Sequence, residues 1–102
     1  MSALLTLTKA QTLLAASLRE RRLALGLTQE GLSLRSGVPL PTVRKFEQRG
    51  VVSLKSFLKL LMVLGALEAV VAAAAPVPLP FGSMDELLAP PKKPVRKKGW
   101  RT

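Results

Sequence analysis

The chain has no cysteine and no histidine. Disulfides are therefore excluded, and so are thiolate and imidazole metal sites; the lack of disulfides suits a reducing cytosol. Catalytic parts are equally scarce. There is no imidazole base and no thiol nucleophile, the carboxylates stand singly except for the adjacent Asp85 and Glu86, and no glycine-rich phosphate loop occurs. Neither an enzyme nor a cofactor is expected. Negative charge is also in short supply: six Asp/Glu stand against sixteen Lys/Arg, for a formal net charge of +10. Long apolar runs are missing too. Residues 1–18 are interrupted by Lys9 and Gln11, with no basic stretch before them, so no signal peptide is read. Residues 60–81 carry Glu68 and are broken by Gly65, Pro76, Pro78 and Pro80, so no membrane span is expected. No internal repeat is visible.

What is present bounds the answer. The 102 residues make one small domain, 1–75, and an extension, 76–102. A core of about 65 residues is marginal alone, and dimerisation would help it. Residues 1–75 carry ten basic against four acidic residues and residues 76–102 six against two, so both parts are basic. A polyanion is the implied partner, nucleic acid before an anionic membrane surface.

Residues 27–47, LTQEGLSLRSGVPLPTVRKFE, organise the rest. Thr28 suits an N-cap, and Glu30 suits the positive end of the helix it starts. That helix is predicted over Gln29 to Ser36. Gly37 follows where the helix must stop. Pro39 and Pro41 bracket a second start, since proline fits the first turn of a helix and not its middle. The second helix is predicted over Thr42 to Gln48. Leu32, Val38, Val43 and Phe46 can share one small core while Arg35, Arg44, Lys45 and Arg49 stay outside. Two readings fit this pattern: a helix-turn-helix whose second helix enters the major groove, and an ordinary helical hairpin with solvated charges.

Leu25-Gly26-Leu27-Thr28-Gln29-Glu30, Leu32-Ser33, Ser36-Gly37-Val38, Thr42-Val43, Phe46-Glu47 and Gly50 resemble the Xre/Cro-type helix-turn-helix family at fixed spacing. The likeness covers about residues 12–74. Three departures stand out. Ser33 replaces the usual alanine. Gly31 sits in a helix interior, at a cost of about 1 kcal/mol relative to Ala. Leu40 and Pro41 occupy positions where relatives often carry polar, base-reading side chains. The resemblance implies an all-α, five-helix Xre/lambda-repressor-like domain. It also implies that Arg22, near the end of the first helix, pairs with Glu47 and aims spare N–H groups at phosphate.

The flanking helices follow from periodicity. The first is predicted over about Thr8 to Leu25, with Leu14, Leu18 and Leu25 on one face. The fourth covers Ser53 to Leu64, capped by Ser53, with Leu54, Phe57, Leu58, Leu61 and Leu64 as core. Leu60, Met62 and Val63 lie off that stripe. A helix so apolar wants a second cover, which a two-fold partner subunit supplies. The fifth runs from Leu67 to Ala74 and presents Leu67, Val70, Val71 and Ala74. Beyond Ala75 comes a proline-rich strap, then SMDELL as one helical turn. The basic tail PPKKPVRKKGWRT is expected to be disordered when free.

The DNA-binding candidates are Gln29, Leu40, Thr42, Arg44, Lys45, Arg49 and Lys55. By resemblance Gln29 bonds a phosphate or an adenine edge, and its backbone N–H adds a helix-end anion site. Arg44 or Lys45 can reach guanine O6 and N7, with Thr42 beside them, and Leu40 can touch only a thymine methyl. Arg49 and Lys55 would meet the far phosphate strand. The order of segments resembles HipB-type antitoxins, which implies a dimeric bacterial autorepressor in the cytoplasm, on the nucleoid, that also binds a HipA-type serine/threonine kinase. Other members of the wider family are prophage or restriction-modification repressors, or protein-bridging coactivators. Trp100, the one tryptophan, is a candidate partner contact.

Overall fold

A computed structural model describes residues 4–77. Five helices follow one another: α1 (Leu7–Ala24), α2 (Gln29–Ser36), α3 (Leu40–Arg49), α4 (Leu54–Leu64) and α5 (Leu67–Ala73). No strand occurs among the described residues, so the five-helix, all-α expectation holds. Most of the proline-rich strap, the SMDELL segment, the basic tail and Trp100 lie outside the described residues.

Local chemistry sets the helix ends. The Thr6 hydroxyl accepts the Lys9 N–H at 3.0 Å and starts α1 one residue earlier than predicted. Thr28 accepts the Gly31 N–H at 2.9 Å and starts α2. Ser53 accepts the Ser56 N–H at 3.2 Å and starts α4. In α3 the start falls two residues before the predicted Thr42. Pro39 is the cap and Pro41 lies in the first turn, where its missing N–H costs nothing.

The turn between α2 and α3 is tied by side chains. Gly37 takes φ +78°, and its N–H donates to the Ser33 carbonyl at 2.9 Å. The Ser33 hydroxyl donates to the Val38 carbonyl at 2.6 Å, and the Val38 N–H donates to the Ser36 hydroxyl at 3.1 Å. Ser33 is thus more than a small stand-in for alanine: it satisfies a carbonyl that the turn leaves free.

The core contains Leu18, Leu32, Val38, Val43, Phe46, Leu60, Leu61 and Leu64, all buried. The Phe46 and Phe57 rings meet at 5.8 Å, tilted by 58°, and join α3 to α4. Two sequence expectations need correction here. On α1 the buried residues are Ala15, Leu18 and Arg22, while Leu14 and Leu25 are 45% and 56% exposed. The buried side of the helix thus carries Ala15 and Arg22 with Leu18, rather than the leucine stripe. On α4 Leu60 is buried, whereas Leu54 is 70% exposed. Leu54 stands in the first turn, at the open end of α4, where it borders an apolar groove lined by Leu14, Phe46 and Phe57. α5 has no fully buried residue; Leu67 and Val70 pack against the core, and Val71 is exposed.

Candidate nucleic-acid interface

The site begins with what holds α3 in place. Glu47 lies on the inward side of α3, next to the buried Val43 and Phe46. Its Oε2 accepts Arg22 Nε at 2.7 Å and its Oε1 accepts Arg22 Nη2 at 2.9 Å, a two-pronged contact from α1 to α3. Arg22 Nη1 donates to the Leu27 carbonyl at 2.8 Å. Gln29 Nε2, from the start of α2, donates to Glu47 Oε1 at 3.0 Å. One carboxylate therefore collects donors from α1 and from α2. The pair is withdrawn from solvent, with side chains 7% and 4% exposed.

The charge balance of Glu47 follows from this. Burial alone would raise its pKa. The hydrogen bonds from Arg22 and Gln29, with the positive charges of Arg22 and Arg19, outweigh that, and the carboxyl titrates below the ordinary glutamate value. A low pKa keeps the acceptor ionised at neutral pH. Three of the five guanidinium N–H groups of Arg22 are used within the fold, and two are left for the phosphate contact that the resemblance implies. Its guanidinium faces inward, toward Glu47 and Leu27.

The C-terminal end of α3 is fixed by contact rather than charge. Gly50 takes φ +71°, and its N–H donates to the Phe46 carbonyl at 2.7 Å. A Cβ on Gly50 would lie 2.6 Å from the Gln11 carbonyl oxygen of α1. Only glycine lets the two backbones come so close.

With its inner side held, α3 turns Pro41, Arg44, Lys45, Gln48 and Arg49 to solvent. Pro41, Lys45 and Gln48 recur at 0, 4 and 7, along the middle of the outer face. Arg44 and Arg49 flank them. These five residues line one open hollow. Pro41, Thr42 and Lys45 also border a second, closed at its far side by Ser53 and Ser56 at the start of α4. Lys55, in the first turn of α4, is exposed.

The named candidates therefore divide. Arg44, Lys45, Arg49 and Lys55 are exposed, while Leu40, Thr42 and Gln29 are half-buried. Leu40 sits toward the side that carries Val43 and Glu47. The Gln29 amide is already committed, through its nitrogen, to Glu47. Gln48 was missed. Its signal was the helical period, three residues after Lys45 and four after Arg44.

A helix-turn-helix family model matches residues 18–69, slightly more than half of the chain. The chain belongs to the Xre/lambda-repressor-like helix-turn-helix family. The match spans the end of α1 through the start of α5, so it includes the Arg22–Glu47 pair and the whole outer face of α3. Searches of curated proteins and of solved structures returned no match. Membership makes this helix-turn-helix chain a DNA-binding transcription regulator of a family that is not typically enzymatic. None of its described helices is long and apolar enough to cross a membrane.

Proposed function

We propose that this helix-turn-helix protein is a repressor that binds operator DNA sequence-specifically as a homodimer, with α3 in the major groove. The observation that carries the reading is the outer face of α3. Arg44, Lys45 and Arg49 are exposed there, with no acidic partner among the described residues. Phosphate contacts supply affinity and register, and base contacts supply selectivity. Arg49, Lys55 and the N-terminus of α2 serve the first role. Thr28 caps only the Gly31 N–H, so the Gln29 and Glu30 N–H groups remain for a phosphate. Arg44 and Lys45 serve the second, through guanine O6 and N7, with Gln48 and Thr42 beside them.

Residues 1–75 act as the DNA-binding and dimerisation unit, and residues 76–102 as a separate basic extension. The apolar side chains left open on α4 and α5, Met62 and Val71, support a second copy as their cover. With few polar readers per half-site, half-site spacing and DNA shape add to the selectivity. The finer reading is the antitoxin of a HipBA-like operon, in which the same protein binds a HipA-type kinase and Trp100 contributes to that contact. It rests on the resemblance in segment order alone.

The test is duplex binding by the full chain at fixed salt. Its own upstream region should bind at least tenfold more tightly than random sequence, with two chains per duplex by sedimentation. Equal affinity for both duplexes would remove the operator reading and leave a protein-bridging role as the family alternative. Co-purification from the host of an identified HipA-type kinase, lost on Trp100→Ala, supports the antitoxin; recovery of no such kinase favours a repressor without a toxin.

A further inference from the structure

The two ends of the motif's helices differ in their donors. At α2 the first turn keeps free backbone N–H groups beside Thr28. At α3 it keeps fewer. Pro39 and Pro41 have no N–H, and those of Thr42 and Val43 both donate to the Pro39 carbonyl, at 2.9 and 3.1 Å. No side chain caps this end. The tip of α3 therefore offers one free backbone donor where α2 offers two, and is the poorer site for a phosphate. What it presents is hydrocarbon: Pro41 is exposed, with Lys45 one turn behind it on the same face.

We infer that the Pro41 ring is a specificity-determining contact that reads the C5-methyl group of a thymine. This deepens the operator reading above and rests on it. The thymine methyl is the one apolar group that a base pair displays in the major groove. A donor-poor, apolar tip matches that group and no other on the groove floor. The pyrrolidine ring is rigid, so little side-chain freedom is lost on contact. Leu40, the residue that sequence reading would give this role, is half-buried toward the Glu47 side of α3 and does not share the outer face with Lys45.

The geometry also fixes a neighbour. Residues four apart on a helix face have Cβ atoms about 5–6 Å apart. Base pairs stack at about 3.4 Å. If Pro41 lies on a thymine methyl, Lys45 reaches the acceptors of a G·C pair within about two base pairs of it. Each half-site thus contains a thymine close to a guanine, set by the spacing of residues 41 and 45.

The experiment uses the full chain and synthetic DNA. Duplexes are selected from a random library, and the best is remade with deoxyuridine replacing each thymidine in turn, which removes only the methyl. One thymine per half-site should be sensitive, with uracil there weakening binding about fourfold, the worth of one buried methyl. Pro41→Ser should reduce that sensitivity to below about twofold while leaving the thermal transition in place, since serine is tolerated in a first turn. Three outcomes overturn the inference while leaving sequence-selective binding intact: no sensitive thymine, equal sensitivity in Pro41→Ser, or no G·C pair within two positions of the sensitive thymine. Failure to select any duplex above random sequence is a different result, since it removes the operator reading and this inference with it.

Discussion

The two faces of α3 carry charge in opposite ways. On the inner face Glu47 is buried and its oxygens are filled from α1 and α2. On the outer face Arg44, Lys45 and Arg49 stand in solvent without a carboxylate partner. Inside, charge is spent on geometry, since it sets the rotation of α3 and the angle at which α1 crosses it. Outside, charge is left unneutralised, so a polyanion meets cations with no internal ion pair to break. The net charge of +10 does not distinguish these uses. A change on the inner face should alter folding, and one on the outer face should alter binding alone.

The largest expected effect tests the inner face. Glu47→Ala strands the Arg22 guanidinium in a nearly closed site. Removing one partner of such a pair costs about 3–5 kcal/mol. That is a large share of the roughly 5–15 kcal/mol that holds a domain together. Denaturant or thermal unfolding reads it directly; a variant that melts with the wild type would show that the pair does not hold α3. The pH dependence has a definite sign. The native pKa of Glu47 is depressed, so its contribution is complete above the ordinary glutamate value. It is lost as the pH falls through the lower native value. Glu47→Gln should flatten that part of the acid unfolding curve.

The next effect separates backbone conformation from close approach. Gly37 and Gly50 both take positive φ, at +78° and +71°. A Cβ on Gly37 meets nothing within 4 Å, whereas one on Gly50 meets the Gln11 backbone. Gly37→Ala should cost about 1–2 kcal/mol, the left-handed penalty alone. Gly50→Ala should cost about 3 kcal/mol, because α1 must also move. Equal losses in the two variants would mean that the contact between α1 and the end of α3 yields freely.

Much of this was legible in the chain, and the misses share a cause. Thr28, Gly37 and Ser53 act through their own backbone neighbours, so the bounds of α2 and the start of α4 could be read from single residues. The two prolines marked the start of α3, but not which of the following residues would enter it. Choosing which face of a helix is buried needs a partner that the local pattern does not contain. Leu14 looked like core because it is apolar, yet α1 turns Ala15 and Arg22 inward since Arg22 has Glu47 to meet. Leu60 looked off-stripe and is core, because α4 is covered on more than one side. In the site, Leu40 and Pro41 are neighbours in sequence but differ in exposure, and a period that starts at Pro41 brings in Gln48.

On the outer face the expected effects are smaller and of another kind. Lys45→Ala should weaken operator binding by about 1–3 kcal/mol and relax selectivity at one base pair. Its unfolding midpoint should stay within the shift of an ordinary surface change, about 0.5 kcal/mol. A Lys45→Ala protein that lost stability and binding together would break the division between the faces. In that case the outer residue would also be supporting the fold.

The smallest effect is the most specific to geometry. Lys55 and Lys59 are both exposed lysines on α4, one turn apart. Lys55 lies in the first turn, beside the Ser53 and Ser56 that close the hollow under α3, and Lys59 lies farther along. If binding were a matter of net charge, removing either would change it equally. If the outer face of α3 and the start of α4 form one surface on the duplex, only Lys55 neutralises a phosphate. Lys55→Ala should then lower the slope of log affinity against log salt by about one, uniformly over DNA sequences, and Lys59→Ala should leave it unchanged. Titrations of both variants between low and moderate salt decide it: two equal slopes would reduce the interface to unspecific attraction, and a difference of about one would place the edge of the DNA between adjacent turns of α4.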